Sequence, residues 1–182
     1  MRKLKYHEQK LLKKVNFYEW KDTNRREVGI MKRYGIADRE DYTKYRKLGR
    51  MMNTLVQKLR KLPADDKDRI KMTEVLLEKC YSMGLADSTQ SLEEIVNISA
   101  SRFCRRRLAS VLVANKFCEN IKSAVTWVQQ GHFRMGPDVI SNPAVHVTRE
   151  MQDHITWSEG SKIYRHIKEF NDEVDDYELL GN

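Results

Sequence analysis

The chain has 182 residues, with 34 Lys and Arg against 26 Asp and Glu and a pI near 9.4. That length holds one ordinary domain, or a small domain with helical additions. No apolar run approaches the ~18 residues of a membrane-crossing helix, which excludes one.

The charge is unevenly placed. Residues 1–62 carry 19 basic against 7 acidic side chains, residues 63–167 carry 14 against 13, and residues 168–182 carry 1 against 6. The basic excess is therefore N-terminal and suits a polyanionic partner. The opening MRKLKYHEQKLLKK lacks the continuous apolar core of a secretory signal. It reads as a nuclear or nucleolar address, an RNA-binding arm, or a solvated frayed end. Cys80, Cys104 and Cys118 are odd in number and form no CxxC pair, so they are expected reduced, buried and intracellular.

In chain order, residues 1–20 predict a short helix or arm ending in the aromatic cluster Phe17, Tyr18 and Trp20. Residues 24–34 predict a helix stopped by Gly35. Asp38 caps the next helix, with Glu40 and Asp41 in its first turn; it runs to about Lys61, before Pro63. Met51, Met52, Leu55, Val56 and Leu59 form its apolar stripe. A helix over 66–83 ends at Gly84, with Ile70, Val75, Leu76, Leu77 and Cys80 inward. Residues 85–90 connect to a short helix that Ser91 and Glu94 open as a capping box and that closes near Val96.

Residues 101–147 carry the functional reading. Taken as one helix, 101–113 places Cys104, Leu108, Val111 and Leu112 on one side, Arg102, Arg105 and Arg106 on the other, and Arg107 at the flank. Clustered guanidiniums repel one another, and a phosphate backbone relieves that repulsion while matching their fork geometry; the bland alternative is a solvated basic face. Asn120 caps a second helix with Ile121, Ala124, Val125 and Val128 inward, Lys122, Thr126 and Gln129 outward, and Gly131 at its end. His132 to Met135 alternate as a half-buried strand, with His132 and Arg134 on one side and Phe133 and Met135 on the other. Gly136-Pro137-Asp138 turns the chain, Val139 and Ile140 begin the return, and Val145–Val147 predict a further strand. His132 is read either as a phosphate contact or as a structural histidine.

These residues resemble the RNA-binding fold of small-subunit ribosomal protein S-four, the alpha-L motif. The pattern is carried by Arg106-Arg107-Leu108, then Gln130-Gly131-His132-Phe133-Arg134-Met135, then Pro143 and Val147. The family glycine after the first helix is replaced by Ala114-Asn115-Lys116, and its Asn-Gly turn by Met135-Gly136-Pro137-Asp138. Beyond the module, Arg39-Glu40-Asp41-Tyr42, Phe103-Cys104, Gly136-Pro137-Asp138-Val139, Val147-Thr148-Arg149, Ile155-Thr156-Trp157 and Asp175-Asp176-Tyr177 resemble, over nearly the whole chain, the nucleolar branch of this family found in the U-three small nucleolar ribonucleoprotein.

The resemblance implies an α+β, mostly helical protein. Residues 1–99 form a basic helical N-terminal region, 100–167 an S-four-type module with a short β-hairpin, and 168–182 an acidic tail. It implies a non-enzymatic nucleolar factor of small-subunit rRNA processing, partnered by the U-three small nucleolar RNA, pre-rRNA and a large scaffold phosphoprotein. Candidate RNA contacts are Arg102, Arg105, Arg106 and Arg107, then Lys116 and Lys122, then Gln130, His132 and Arg134.

No HExxH, GxSxG or phosphate-cradling glycine loop is present, so neither catalytic nor metal residues are assigned, and no cofactor, membrane or small-molecule substrate is expected. Two rivals stay open: a structural ribosomal protein of the S-four family, and a protein adaptor whose basic face is incidental. The acidic tail, with apolar anchors Phe170, Val174, Tyr177, Leu179 and Leu180, favours an assembly factor over a mature ribosomal protein.

Overall fold

The structure is a computed structural model and describes residues 2–14 and 20–173. Phe17 and Tyr18 of the expected aromatic cluster, and tail anchors Val174, Tyr177, Leu179 and Leu180, lie outside the described residues. The helices are α1 (Tyr6–Lys14), α2 (Trp20–Arg33), α3 (Arg39–Arg60), α4 (Lys67–Ser82), α5 (Leu92–Val96), α6 (Ala100–Arg105), α7 (Leu108–Ala114), α8 (Ile121–Gln129), α9 (Arg149–Asp153) and α10 (Lys162–Phe170). Strands β1 (Phe133–Met135), β2 (Asp138–Val139) and β3 (Ile155–Trp157) form an antiparallel sheet in the order β2-β1-β3. The fold is therefore α+β and mostly helical.

The N-terminal helices pack around α3. Its inward face is Tyr42, Tyr45, Gly49, Met52, Val56 and Leu59, an arc at helical spacing. Gly49 lets α3 approach the Ile98 carbonyl oxygen closely: a Cβ there would stand 3.1 Å from it, a tight contact. The sequence stripe was rotated from this arc: Met51 and Leu55 face solvent. On α4 the same correction applies, with Ile70 and Val75 exposed while Leu77 and Cys80 are buried. The capping box at Ser91 is half correct. Ser91 accepts the Glu93 N–H, but Glu94 reaches the other way, accepting from the Asp87 and Ser88 N–H groups and the Ser88 hydroxyl.

The C-terminal module closes around Leu108, Val111 and Leu112 of α7, Ala124 and Val128 of α8, Phe133, Val147 and Ile155. Phe133 stacks on Trp157 at 4.5 Å between centroids, and Phe117 meets both edge-on. β1 pairs with β2 through Arg134↔Val139 and with β3 through Phe133↔Trp157 and Met135↔Ile155. The expected strand at 145–147 is corrected: that segment contributes only the bridge Arg107↔His146, and the third strand is Ile155–Trp157.

The largest departure falls at Arg106–Arg107. Residues 101–113 are two helices, not one. Arg107 is extended (φ −70°, ψ 144°), and the Leu108 N–H donates to the Val145 carbonyl while the Val147 N–H donates to the Arg106 carbonyl. Inter-segment backbone bonds thus displace the helical ladder. Arg107, expected at the helix flank, is 5% exposed. Its Nη1 donates to Asp41 Oδ2 at 3.1 Å and to the Tyr45 hydroxyl at 3.0 Å, both on α3. Tyr45 in turn stacks parallel on Phe103 at 5.7 Å. A buried cation is stable only when paired and hydrogen-bonded, so this ion pair fixes α3 against the α6–α7 step. Replacing Arg107 with Met should cost about 3 kcal/mol, read as a lower urea midpoint at unchanged slope; an unchanged midpoint would remove the ion pair from the joint.

His146 lies in the same joint, where its Nε2–H donates to the Met83 carbonyl at 3.0 Å. Burial, against the raising effect of that bond and with help from the Arg106 charge, holds its pKa below the ordinary 6.5. The unfolded chain therefore takes up the proton first. Stability is whole above pH 6.5 and declines as pH falls through the folded value. His146→Gln, which keeps a donor but does not titrate, should flatten the loss of melting temperature between about pH 7 and about pH 5; an unchanged slope would assign the acid lability elsewhere.

Candidate nucleic-acid interface

Three of the expected arginines come together, Arg102 and Arg105 on α6 and Arg106 at its C-cap. Arg102, Arg105 and Arg106 line a cleft of about 230 Å³ with Gly84, Asp87, Val111, Ala114 and Gln152. Arg102 donates to Asp87 Oδ2 at 2.9 Å and to the Leu85 carbonyl at 3.3 Å. Arg105 is exposed, and its Nε donates to the Tyr34 hydroxyl at 3.3 Å.

Arg106 is half-buried. Its Nε donates to the Val147 carbonyl and its Nη1 to Gln152 Oε1, each at 2.9 Å, while its buried Nη2 has no acceptor. Burial first, and then the charge of Arg149, pull its pKa below the usual arginine value. Gly84 makes room for it: with φ +67° this glycine ends α4, and a Cβ there would stand 2.6 Å from Arg106 Nε.

The residues sequence reasoning missed are Arg149 and Gln152, both on α9. Arg149 lies over the Tyr81 ring at 4.2 Å and donates to the Tyr81 and Ala86 carbonyls at 2.9 Å. It thus meets the carbonyl end of α4, where a cation is favoured. The available signal was Thr148, whose hydroxyl accepts the Met151 N–H and so opens α9.

The remaining candidates lie elsewhere. Lys122 is exposed on α8, opposite buried Ala124 and Val128. Arg134 on β1 is held by Thr156 Oγ1 and Glu159. His132 has both ring nitrogens engaged, Nδ1 with Ser161 Oγ at 2.9 Å and Nε2 with Gln130 Oε1 at 3.2 Å, while Gln130 itself is exposed. Arg107 is in the interior, as described above.

Lys116 departs from normal backbone geometry. After α7, the Lys116 N–H donates to the Val113 carbonyl and the Phe117 N–H to the Leu112 carbonyl, the Schellman pattern that glycine normally completes. Lys116 completes it at φ +64°. The connection keeps glycine geometry while carrying an exposed cation. Among the described residues no helix is long and apolar enough to cross a membrane, and no group of three His, Cys, Asp or Glu could hold a metal ion. Burial pushes the Cys104 and Cys118 thiols up to about 11, which keeps them protonated.

Two short helices, the second closed by Gly131 at φ +77°, followed by a tight hairpin and a returning strand, on a helical base, define an S4-type α+β protein. Comparison with known proteins agrees. The family described as Ribosomal protein S4/S9 N-terminal domain matches residues 3–105, ending just short of the Arg106–Arg107 step. The chain is 46% identical over 181 residues to the mouse "U3 small nucleolar ribonucleoprotein protein IMP3", covering 98% of each chain. It is 42% identical to the Saccharomyces cerevisiae protein of that name, covering 98% of this chain and 99% of the other. A more distant relative is the small ribosomal subunit protein uS4 of Hyperthermus butylicus, 23% identical over 136 residues and covering 75% and 76%. The chain belongs to the IMP3 family of U3 small nucleolar ribonucleoprotein proteins.

Lys116→Gly should raise stability by about 1 kcal/mol, because glycine adopts this conformation without strain. A melting temperature that falls would contradict the strain.

Proposed function

We propose that this protein acts in ribosome biogenesis as an RNA-binding component of a U3-type small nucleolar ribonucleoprotein. In that role it brings the small nucleolar RNA and pre-rRNA together for pairing in small-subunit processing. The observation that carries the reading is Lys116. An L-residue in the left-handed region costs on the order of 1 kcal/mol, and here it retains an exposed cation in a place where glycine costs nothing. Stability is given up for a charge, which is the trade expected at a polyanion contact.

The mechanism is charge neutralisation. Two RNA strands repel through their phosphates, and cations between them lower the cost of close approach. The basic surplus of residues 1–62 supplies one such surface, the cleft arginines Arg102, Arg105 and Arg106 a second, and Lys116 and Lys122 add exposed cations elsewhere on the module. Contacts to backbone rather than base edges give modest sequence preference. The reading places the protein in the nucleolus and makes it a binding factor, not an enzyme. It also gives the scaffold phosphoprotein a place to dock: Leu48, Met51 and Leu55 continue the apolar arc of α3 onto its exposed side, beside Lys47 and Lys58, a pattern that suits an acidic amphipathic partner.

RNA affinity should fall steeply between about 50 and about 200 mM salt. The double variant K116E/K122E should lower it by roughly tenfold or more at the lower salt while keeping the melting temperature. Filter binding to a U3 small nucleolar RNA fragment measures both; salt-independent affinity would return the basic surface to the incidental reading.

A further inference from the structure

Some arginines of this protein hold a carboxylate within ion-pair distance, and others do not. Arg39 and Arg46 share Glu27, Arg107 has Asp41, and Arg134 has Glu159. Arg105, Arg106 and Arg149 have no carboxylate partner among the described residues; a phenol, carbonyls and one amide hold them instead. Arg106 and Arg149 are close enough for the charge of one to disfavour the charge of the other. The carbonyl end of α4 offsets only about half a charge, against two whole ones. Arg102 adds a third cation to the cleft, neutralised by Asp87, whose own side chain is 74% exposed. The fold thus concentrates positive charge around one concave site and leaves the buried Arg106 Nη2 without an acceptor.

We infer that the cleft between the end of α4, α6, α7 and α9 is a seat for a single phosphodiester group of an RNA backbone. The inference deepens the RNA-binding reading and rests on it. Arg105 and Arg102 close on the phosphate from the open side, and Arg106 stands at the floor, positioned by Gly84, Val147 and Gln152. Val111 and Ala114 give an apolar wall for the ribose edge. Asp87 is already satisfied by Arg102, so RNA is taken as the source of the phosphate from the RNA-binding reading on which the inference rests.

The cleft also permits its own internal counter-charge. Gln152→Glu places a carboxylate where Arg106 Nη1 now meets an amide oxygen at 2.9 Å. It should raise the melting temperature by supplying the missing anion and weaken RNA binding by occupying the seat, a coupling that a purely structural cleft would not produce. The probe is a set of U3 small nucleolar RNA fragments whose own fold fixes one binding register, each with one uncharged methylphosphonate linkage, titrated against the full-length protein.

With the wild type, one linkage should cost roughly tenfold or more and the others far less. In Gln152→Glu, and in the exposed variant Arg105→Gln, that excess should vanish. A uniform profile across linkages overturns the phosphate seat while leaving general RNA binding intact. A profile unchanged in Gln152→Glu overturns the assignment of the seat to this cleft. Failure of every RNA to bind overturns both the seat and the reading beneath it. Competition at the cleft by a phosphoserine peptide, but not by RNA, replaces the ligand class and equally overturns the proposal.

Discussion

Arg107 carries a full charge into the interior, and the rest of the architecture is arranged to make that tolerable. Its guanidinium meets Asp41 and Tyr45 on α3, and its backbone pairs with His146. Isolated burial of such a cation would cost far more than the few kcal/mol by which domains are stable. Three parts of the chain must therefore arrive together: the long N-terminal helix that brings Asp41, the α6–α7 step that brings Arg107, and the 145–147 segment that holds the backbone extended. The stacking of Tyr45 on Phe103 closes the same joint from its apolar side.

That joint determines where the remaining cations go. With Arg107 turned inward and the helix interrupted, Arg106 points across to Val147 and Gln152 and lies over Gly84. His146 and Arg149 reach the same end of α4 through Met83, Tyr81 and Ala86. Two cations, Arg106 and Arg149, and the His146 imidazole thus converge on the carbonyl end of a 16-residue helix from the N-terminal part. The helix end holds them in place but supplies too little negative charge to neutralise them. The cleft arginines are thus held by hydrogen bonds to the protein itself, which would lower the ordering cost of the phosphate binding inferred above.

Much of the fold is legible along the chain because its signals are local. Gly35, Gly84 and Gly131 each end a helix at positive φ where the sequence places them. Asp66 and Ser91 cap α4 and α5, and Gly136-Pro137 turns β1 into β2. Asp38 stands at the expected N-cap of α3, though its side chain makes no capping bond. Errors arise where a long-range partner competes with local pattern. The stripe of α3 is misplaced because Met51 and Leu55 have no neighbouring element over them, whereas Tyr42, Tyr45 and Gly49 meet α6 and the Ile98 carbonyl. β3 is missed because Ile155-Thr156-Trp157 is three residues long and becomes a strand only by pairing with β1.

By itself the sequence determined the N-terminal helices, α8 and the β1–β2 turn, the N-terminal surplus of cations and the family, since periodicity, capping, charge and motif spacing are properties of neighbouring residues. It also placed a lysine just after α7, although the backbone cost of that lysine is visible only at φ +64°. What tertiary structure alone decided is which arginines are available. Four cations in six residues read as one basic face, yet Arg107 is buried and paired, Arg102 is held by Asp87, and Arg105 and Arg106 line the same cleft with no ion-pair partner of their own among the described residues. The physical reason is that a charge is assigned by its partner. Asp41, Asp87, Gln152 and Arg149 lie between 15 and 66 residues away in the chain from the arginines they touch or influence.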